Sequence, residues 1–151
     1  MRGEAGDRLR SRLICGLAAL TLLQGCGLKT SVGGIPTEVE SVIGTVTEDI
    51  AQERYDKVYR ESSELWKHDA TQEQSDEVLK TLHARLGKLE SRTLHSATEQ
   101  QNSGGALKGH AYIVTYQSKF ERGQAMETFT LIEGNGHWLL ARYLVNSTSL
   151  K

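Results

Sequence analysis

The feature that most constrains the fold is a change in the spacing of apolar residues after Gly87. Before it, apolar residues recur every three or four positions, as in helices, and after it they recur every second position, as in strands. Asn135-Gly136 separates two alternating segments and is a strong hairpin signal, because both central residues of a type I′ turn need positive φ. The sequence therefore predicts helices followed by an antiparallel sheet. The predicted strands are Leu89–Thr98, Ala111–Phe120, Gln124–Glu133 and His137–Asn146.

Two tight turns predict which residues of the sheet lie opposite one another. With Arg122-Gly123 as the first turn, Tyr116 lies opposite Phe129, and with Asn135-Gly136 as the second, Phe129 lies opposite Arg142. One face then collects most of the large apolar side chains. Its predicted members are Tyr112, Val114, Tyr116, Phe120, Phe129, Leu131, Trp138, Leu140 and Leu144. The predicted members of the outer face are Ile113, Met126, Ile132, Leu139, Tyr143 and Val145.

Helix signals occupy the chain between Pro36 and Gly87. Thr37 and Glu40 have the spacing of a capping box, and so have Thr71 and Gln74. Apolar stripes follow each, although the residues leave open whether the first helix breaks near positions 51–53. Helices that bury such stripes on one face of the sheet make an α+β domain, with N-terminal helices packed on a curled four-stranded antiparallel sheet. We expect this domain to span residues 37–147, with a tail at 148–151.

Several short motifs of this region resemble a known superfamily, the nuclear transport factor 2-like or cystatin-like cone. They are Tyr55-x-x-x-Tyr59, Leu86-Gly87, Tyr116-x-x-x-Phe120, Glu127-Thr128-Phe129 and Trp138-Leu139-Leu140-Ala141-Arg142-Tyr143. The resemblance implies a curled sheet whose hollow is filled by N-terminal helices, as in small secreted bacterial members of unknown function. Arg142 stands where the resemblance leads us to expect a small residue.

The start of the chain has the three parts of a secretory signal. A cationic leader, residues 1–12, precedes an uncharged run at Leu13–Leu23, and Leu23-Gln24-Gly25-Cys26 follows. The run has 11 residues, which as a helix would rise only about 16 Å, whereas a bilayer core needs about 30 Å. A cleaved signal is therefore favoured over a membrane-spanning helix.

The tetrad ending at Cys26 resembles a bacterial lipoprotein signal, in which Leu23 and Gly25 fit the pattern. The resemblance implies cleavage after residue 25 and attachment of acyl chains to Cys26. The residues that follow are polar and glycine-containing without a periodic apolar pattern, so we expect a flexible tether over residues 26–36. Two or more chains hold a protein stably on a membrane. Because Gly27 is not Asp, the resemblance implies an outer membrane location facing the periplasm. The alternative is an ordinary cleaved signal that happens to end near a cysteine.

Charge and cysteine content exclude several classes of function for the mature chain. Cleavage would remove four of the 18 basic and two of the 19 acidic residues, leaving a net charge of −3. This balance gives no basic patch for nucleic acid. With Cys15 discarded and Cys26 acylated, no thiol remains for a disulfide, a nucleophile or a metal site. The five histidines lack metal-binding spacing, so we expect no metal and no cofactor.

Two charged residues interrupt the predicted inner face. Glu127 and Arg142 form a diagonal pair on neighbouring strands, within reach of long side chains. Together with Tyr116 they are candidates for lining a small ligand pocket, although a structural ion pair explains the same pattern. We expect a membrane-anchored envelope lipoprotein with a non-catalytic binding or interaction domain. The alternative is a periplasmic enzyme that uses Glu127 as a proton-transfer base.

The outer sheet face is the predicted surface for macromolecular partners. Its apolar side chains alternate with Gln117, Thr128 and Thr130, so the face combines apolar contact area with solubility. We expect it to dock an envelope protein or a second copy of the chain.

Overall fold

The computed structural model of the chain describes residues 34–151, so the predicted signal, Cys26 and most of the predicted tether lie outside the described residues. Within these residues, four helices precede a four-stranded antiparallel sheet, which confirms the α+β class. The helices are α1 (Thr37–Ala51), α2 (Tyr55–Glu61), α3 (Glu64–Asp69) and α4 (Gln72–Leu86). The strands are β1 (Leu89–Asn102), β2 (Gly109–Phe120), β3 (Gly123–Gly134) and β4 (His137–Asn146), in that spatial order. A 3-10 turn, Thr148–Leu150, follows β4.

The two predicted capping boxes have different outcomes. At α4 the prediction is confirmed: the backbone N–H of Gln74 donates to Thr71 Oγ1 at 3.3 Å, and the N–H of Thr71 donates to Gln74 Oε1 at 2.9 Å. At α1 the prediction is wrong, because the helix already includes Thr37 and its N-cap is Pro36, without a side-chain bond. Proline fits this boundary because it has no N–H to leave unpaired.

The helical segment after Pro36 does break after α1, and it breaks again after α2. Glu53 takes the left-handed backbone conformation, with φ of 58°, between α1 and α2. A second interruption at Ser62 and Ser63 separates α2 from α3, and Ser63 accepts a bond from the N–H of Trp66. The N–H of Ser63 also donates to the carbonyl of Leu140, which attaches this corner to β4.

The first hairpin turns at Glu121 and Arg122, one residue earlier than predicted, and Phe120 pairs with Gly123. Tyr116 therefore lies opposite Glu127 rather than Phe129, a shift of two residues. Because side chains alternate with period two, an even shift leaves every residue of β2 and β3 on its predicted face. The predicted Asn135-Gly136 turn is confirmed, with both residues at positive φ.

The second hairpin contains a β-bulge that the sequence did not predict. Leu131 pairs with Leu140 as expected, but Thr130 then pairs with Arg142, so Ala141 is an extra residue in β4. A one-residue insertion reverses the faces beyond it. Four predicted positions are therefore wrong. Tyr143 and Val145 lie on the inner face, whereas Arg142 and Leu144 lie on the outer face.

The core lies between the helices and the inner face of the sheet. Its helical members are Val39, Ile43, Val46, Val58 and Leu79, and its largest sheet members are Tyr112, Val114, Tyr116, Phe129, Leu131 and Leu140. Burying such side chains stabilises the fold by roughly 1.5–3 kcal/mol each. Within residues 34–151, no helix has the length and apolar character needed to cross a bilayer.

Candidate functional site

Glu127 is the charged residue at the centre of the inner face. It lies on β3 with only 2% of its surface exposed. One carboxylate oxygen accepts a hydrogen bond from the hydroxyl of Ser118 on β2, and the other accepts one from the hydroxyl of Tyr143 on β4, at 2.5 Å. A buried carboxylate needs such donors to offset its lost hydration. The acid and its two hydroxyls therefore form one hydrogen-bonded group across three strands.

Tyr143 reaches Glu127 because of the bulge at Ala141. Its ring stacks on Phe129, with centroids 4.7 Å apart and planes 25° apart. Burial raises the pKa of Tyr143 well above its ordinary value, and the charge of Glu127 and the bond to it raise the pKa further. The phenol consequently stays protonated at neutral pH and remains a donor to the carboxylate.

Arg92 supplies the cation of the inner face, from strand β1. Its guanidinium carbon lies 5.0 Å from the centre of the Tyr116 ring and 5.8 Å from that of Phe129. Its Nη2 donates to Thr47 Oγ1 on α1 at 2.7 Å. Both aromatic rings are buried, and the cation lies over their faces, which attract it.

Tyr116, the second predicted site residue, lies on the inner face close to Arg92 and Phe129. It is 6% exposed, and its ring meets Phe129 edge-on with centroids 6.1 Å apart. Burial raises the pKa of Tyr116, and the positive charge of Arg92 opposes that rise. Tyr116 and Glu127 thus share the inner face of adjacent strands, as the sequence predicted.

Arg142, the third predicted residue, is not part of this group. It lies on the outer face, its side chain is 45% exposed, and its Nη2 is 3.7 Å from a carboxylate oxygen of Asp69. The predicted diagonal pair with Glu127 is therefore wrong, because the bulge at Ala141 turned Arg142 to the other face. On the outer face, Arg142 is separated by the sheet from Glu127 and Tyr116, the residues with which it was predicted to line a pocket.

Three residues of the inner face, namely Ser118, Tyr143 and Arg92, were not predicted from the sequence as part of this site. Ser118 had a signal, because it lies two positions from both Tyr116 and Phe120 and so shares their face. Tyr143 had none, since its face depends on the bulge. Arg92 had none either, because β1 alternates weakly and has its own irregularity between Leu94 and Ser96.

A cavity of about 40 Å³ adjoins Glu127 and Tyr143. Leu79, Leu82 and Leu86 of α4 also line this cavity. A site for a drug-sized ligand usually measures about 300–1,000 Å³, whereas one water needs roughly 10–15 Å³. This interior therefore has space for a few waters and none for a sizeable substrate.

Comparison with known protein families matches residues 45–143 to a family described as a protein of unknown function, DUF4019. That range is about two thirds of the chain. The chain belongs to the DUF4019 family. A search of curated proteins finds no match. The matched range includes Arg92, Tyr116, Glu127 and Arg142, and Cys26 lies before it.

This DUF4019 domain has a second titratable cluster at the far end of the sheet. His110 donates or accepts at both ring nitrogens: Nε2 is 2.6 Å from a Glu99 oxygen and Nδ1 is 2.9 Å from a Glu133 oxygen. Burial alone would lower the pKa of His110, but the two carboxylates outweigh it and raise the pKa. Across residues 34–151, no group of His, Cys, Asp and Glu side chains is arranged to hold a metal.

Proposed function

We propose that this DUF4019 protein is a lipoprotein of the bacterial cell envelope, anchored through acylated Cys26, with a non-catalytic binding or interaction domain. The anchor rests on the leader: basic residues, a short apolar run and Leu23-Gln24-Gly25-Cys26. The described domain begins within about ten residues of Cys26, and a flexible tether of that length reaches roughly 17 Å. The domain would therefore work close to the lipid surface, at the outer membrane on its periplasmic side.

The observation that carries the non-catalytic role is the enclosure of Glu127. The residue is 2% exposed, both carboxylate oxygens accept bonds from hydroxyls, and the adjoining cavity is about 40 Å³. A general base must lie within hydrogen-bond reach of the proton that it removes from a substrate. A base enclosed in this way has no space beside it for a substrate. The rival function, proton transfer by Glu127, keeps one observation in its favour, namely that the acid lines a cavity.

The anchor is tested on the full chain expressed in a bacterium with two membranes. We expect intact mass spectrometry to find loss of residues 1–25 and the added mass of acyl chains on Cys26. Cys26→Ser should abolish that mass and release the protein from the membrane fraction. Cys15→Ser, at the chain's other cysteine, is the matched control and should change neither. A product that keeps Met1, or an unmodified Cys26 thiol in soluble protein, would contradict the anchor.

The outer sheet face is the surface that we propose for an envelope protein or a second copy of the chain. Ile113, Met126, Ile132 and Leu139 lie there, and the bulge adds Leu144, which is 62% exposed. An apolar side chain with that exposure is suited to contact with another protein. Sedimentation of the solubilised chain should show self-association that Leu144→Lys weakens. A monomer at all micromolar concentrations would remove the homodimer and leave only the heterologous partner.

A further inference from the structure

A groove separate from the Glu127 cavity lies between the first turns of α1 and the edge strand β1. Its volume is about 450 Å³, within the usual range of small-ligand sites. Its walls are apolar and aromatic, with one basic and one acidic residue. Its lining includes Ile35, Glu40, Ile43, Arg92, Leu94 and Tyr116. Leu94 is 44% exposed, so a large apolar side chain of this wall already faces solvent.

Arg92 has unused donors at this groove. A guanidinium carries five N–H donors, and the hydrogen bond to Thr47 uses one of them. None of the ion pairs within residues 34–151 includes Arg92, so no carboxylate lies within 4.0 Å of it there. Elsewhere in the domain, Arg54, Arg60 and Arg142 each have an acidic partner. Arg92 is therefore a half-buried cation that lacks the anion such a position favours.

The guanidinium is also held in a fixed orientation. The rings of Tyr116 and Phe129, whose planes are 79° apart, flank it on two sides, and the hydroxyl of Thr47 accepts a bond from one nitrogen. A fixed planar fork matches the two oxygens of a carboxylate, and little rotamer freedom remains to be lost when they bind. The contacts with the two aromatic rings and with Thr47 thus preorganise the guanidinium of Arg92 to bind a planar anion.

We propose that this groove binds the carboxylate of a small organic acid at Arg92. The apolar part of the acid lies against Ile43 and Leu94. Glu40, at the exposed rim, repels a second negative charge, so monocarboxylates bind in preference to dicarboxylates. This inference rests on the proposed binding role and names its ligand class.

The test uses the full-length chain in detergent, with benzoate as the probe and benzamide as its uncharged counterpart. Amide signals of the groove are followed by ¹H–¹⁵N NMR during titration. We expect benzoate to bind at least ten-fold more tightly than benzamide, and Arg92→Met to remove that difference. Arg142→Met is the matched control, because it removes an arginine of the same sheet outside the groove, and should leave the preference unchanged.

A second variant keeps the test decisive if Arg92→Met disturbs folding. Leu94→Asp leaves Arg92 in place and adds a carboxylate to the exposed wall, which should compete with benzoate and weaken it about ten-fold. Equal binding of acid and amide by the native chain, or a preference that survives both substitutions, would overturn the site. An unmodified Cys26 overturns only the anchor, and chemical turnover of a bound acid overturns only the non-catalytic role.

Discussion

Two carboxylates are almost completely buried in this domain, and they are stabilised in opposite ways. Asp49, 1% exposed, is bonded by cations: Arg54 Nε lies 2.8 Å from it and Lys57 Nζ lies 3.0 Å from it. Glu127, 2% exposed, is bonded by the neutral hydroxyls of Ser118 and Tyr143. The difference separates an acid that fixes the path of the chain from one that joins neutral hydroxyls beside a cavity.

The positions of the partners explain this difference. Those of Asp49 are five and eight residues away, and the N–H of Arg54 donates to the carbonyl of Asp49 as well. The ion cluster therefore fixes the α1 to α2 connection, where Glu53 has positive φ. The partners of Glu127 come from two neighbouring strands, and one of them depends on the bulge. The hydrogen bonds of Glu127 therefore join separate strands, and neither of the two donors is a cation.

Asp49→Asn should have the largest effect on stability, because it removes the acid that is bonded by cations rather than by hydroxyls. We expect a loss of about 3 kcal/mol in the free energy of unfolding, because charge-assisted bonds at a buried site are lost. Urea denaturation at pH 7 measures it. Asp56→Asn is the matched control, because Asp56 pairs with Arg60 on the exposed side of α2, and it should cost less than about 0.5 kcal/mol. Equal losses in the two variants would contradict a special role for Asp49.

The pH dependence of the same variant has a defined sign. Burial alone would raise the pKa of Asp49, but the bonds from Arg54 and Lys57 and their charges outweigh it and lower the pKa. The acid therefore contributes stability above its unfolded pKa of about 3.9, and that contribution is lost as pH falls through the lower folded value. The gap between native chain and Asp49→Asn should narrow in acid.

Glu127→Gln should have a smaller effect, a loss of about 1 kcal/mol, because a neutral amide can still bond the two hydroxyls. Its sharper readout is spectroscopic. Removing the negative charge beside the Tyr143 phenol should lower the pKa of that phenol, so ultraviolet titration should show this tyrosine ionising at lower pH. Tyr143→Phe identifies the signal by deleting it. A tyrosine titration unchanged by Glu127→Gln would mean that Glu127 is not the charge that Tyr143 senses.

The positions of these two acids also show which parts of the fold and the site could be predicted from the sequence. The face of Glu127 and Tyr116 was predictable, since the error in the first hairpin was an even number of residues. Arg142 was misplaced because Trp138-Leu139-Leu140-Ala141 is apolar at every position, so both alternation phases fit it equally. Asp49 carried no signal at all. The chain break that it fixes contains neither glycine nor proline, and ion pairs rather than backbone propensity determine it.

His110 lies between the two extremes, because its carboxylates are paired with a cation that can lose its charge. Both ring nitrogens face acids, and only the protonated ring donates to both. Since the folded pKa is raised, the cluster contributes stability below the unfolded pKa of about 6.5, and this is lost as pH rises through the folded value.

The measurement compares the native chain with His110→Gln at pH 5.5 and pH 8.5. We expect a native advantage on the order of 1 kcal/mol at pH 5.5, smaller at pH 8.5. His137→Gln, at an exposed histidine of β4, is the control for general effects of losing a histidine. A gap of constant size across this range would mean that the protonated ring does not link Glu99 to Glu133.

Arg142→Ala should have the smallest effect on stability, because Arg142 forms an exposed ion pair rather than a buried one. Its side chain is 45% exposed, and the ion pair with Asp69, 46% exposed, spans 3.7 Å. Water solvates both charges when the pair is broken, so the free energy of unfolding should fall by less than about 0.5 kcal/mol. The Tyr143 titration should not move, because Arg142 lies on the opposite face from Glu127. A large loss of stability, or a displaced phenol pKa, would return Arg142 to the inner face and contradict the bulge at Ala141.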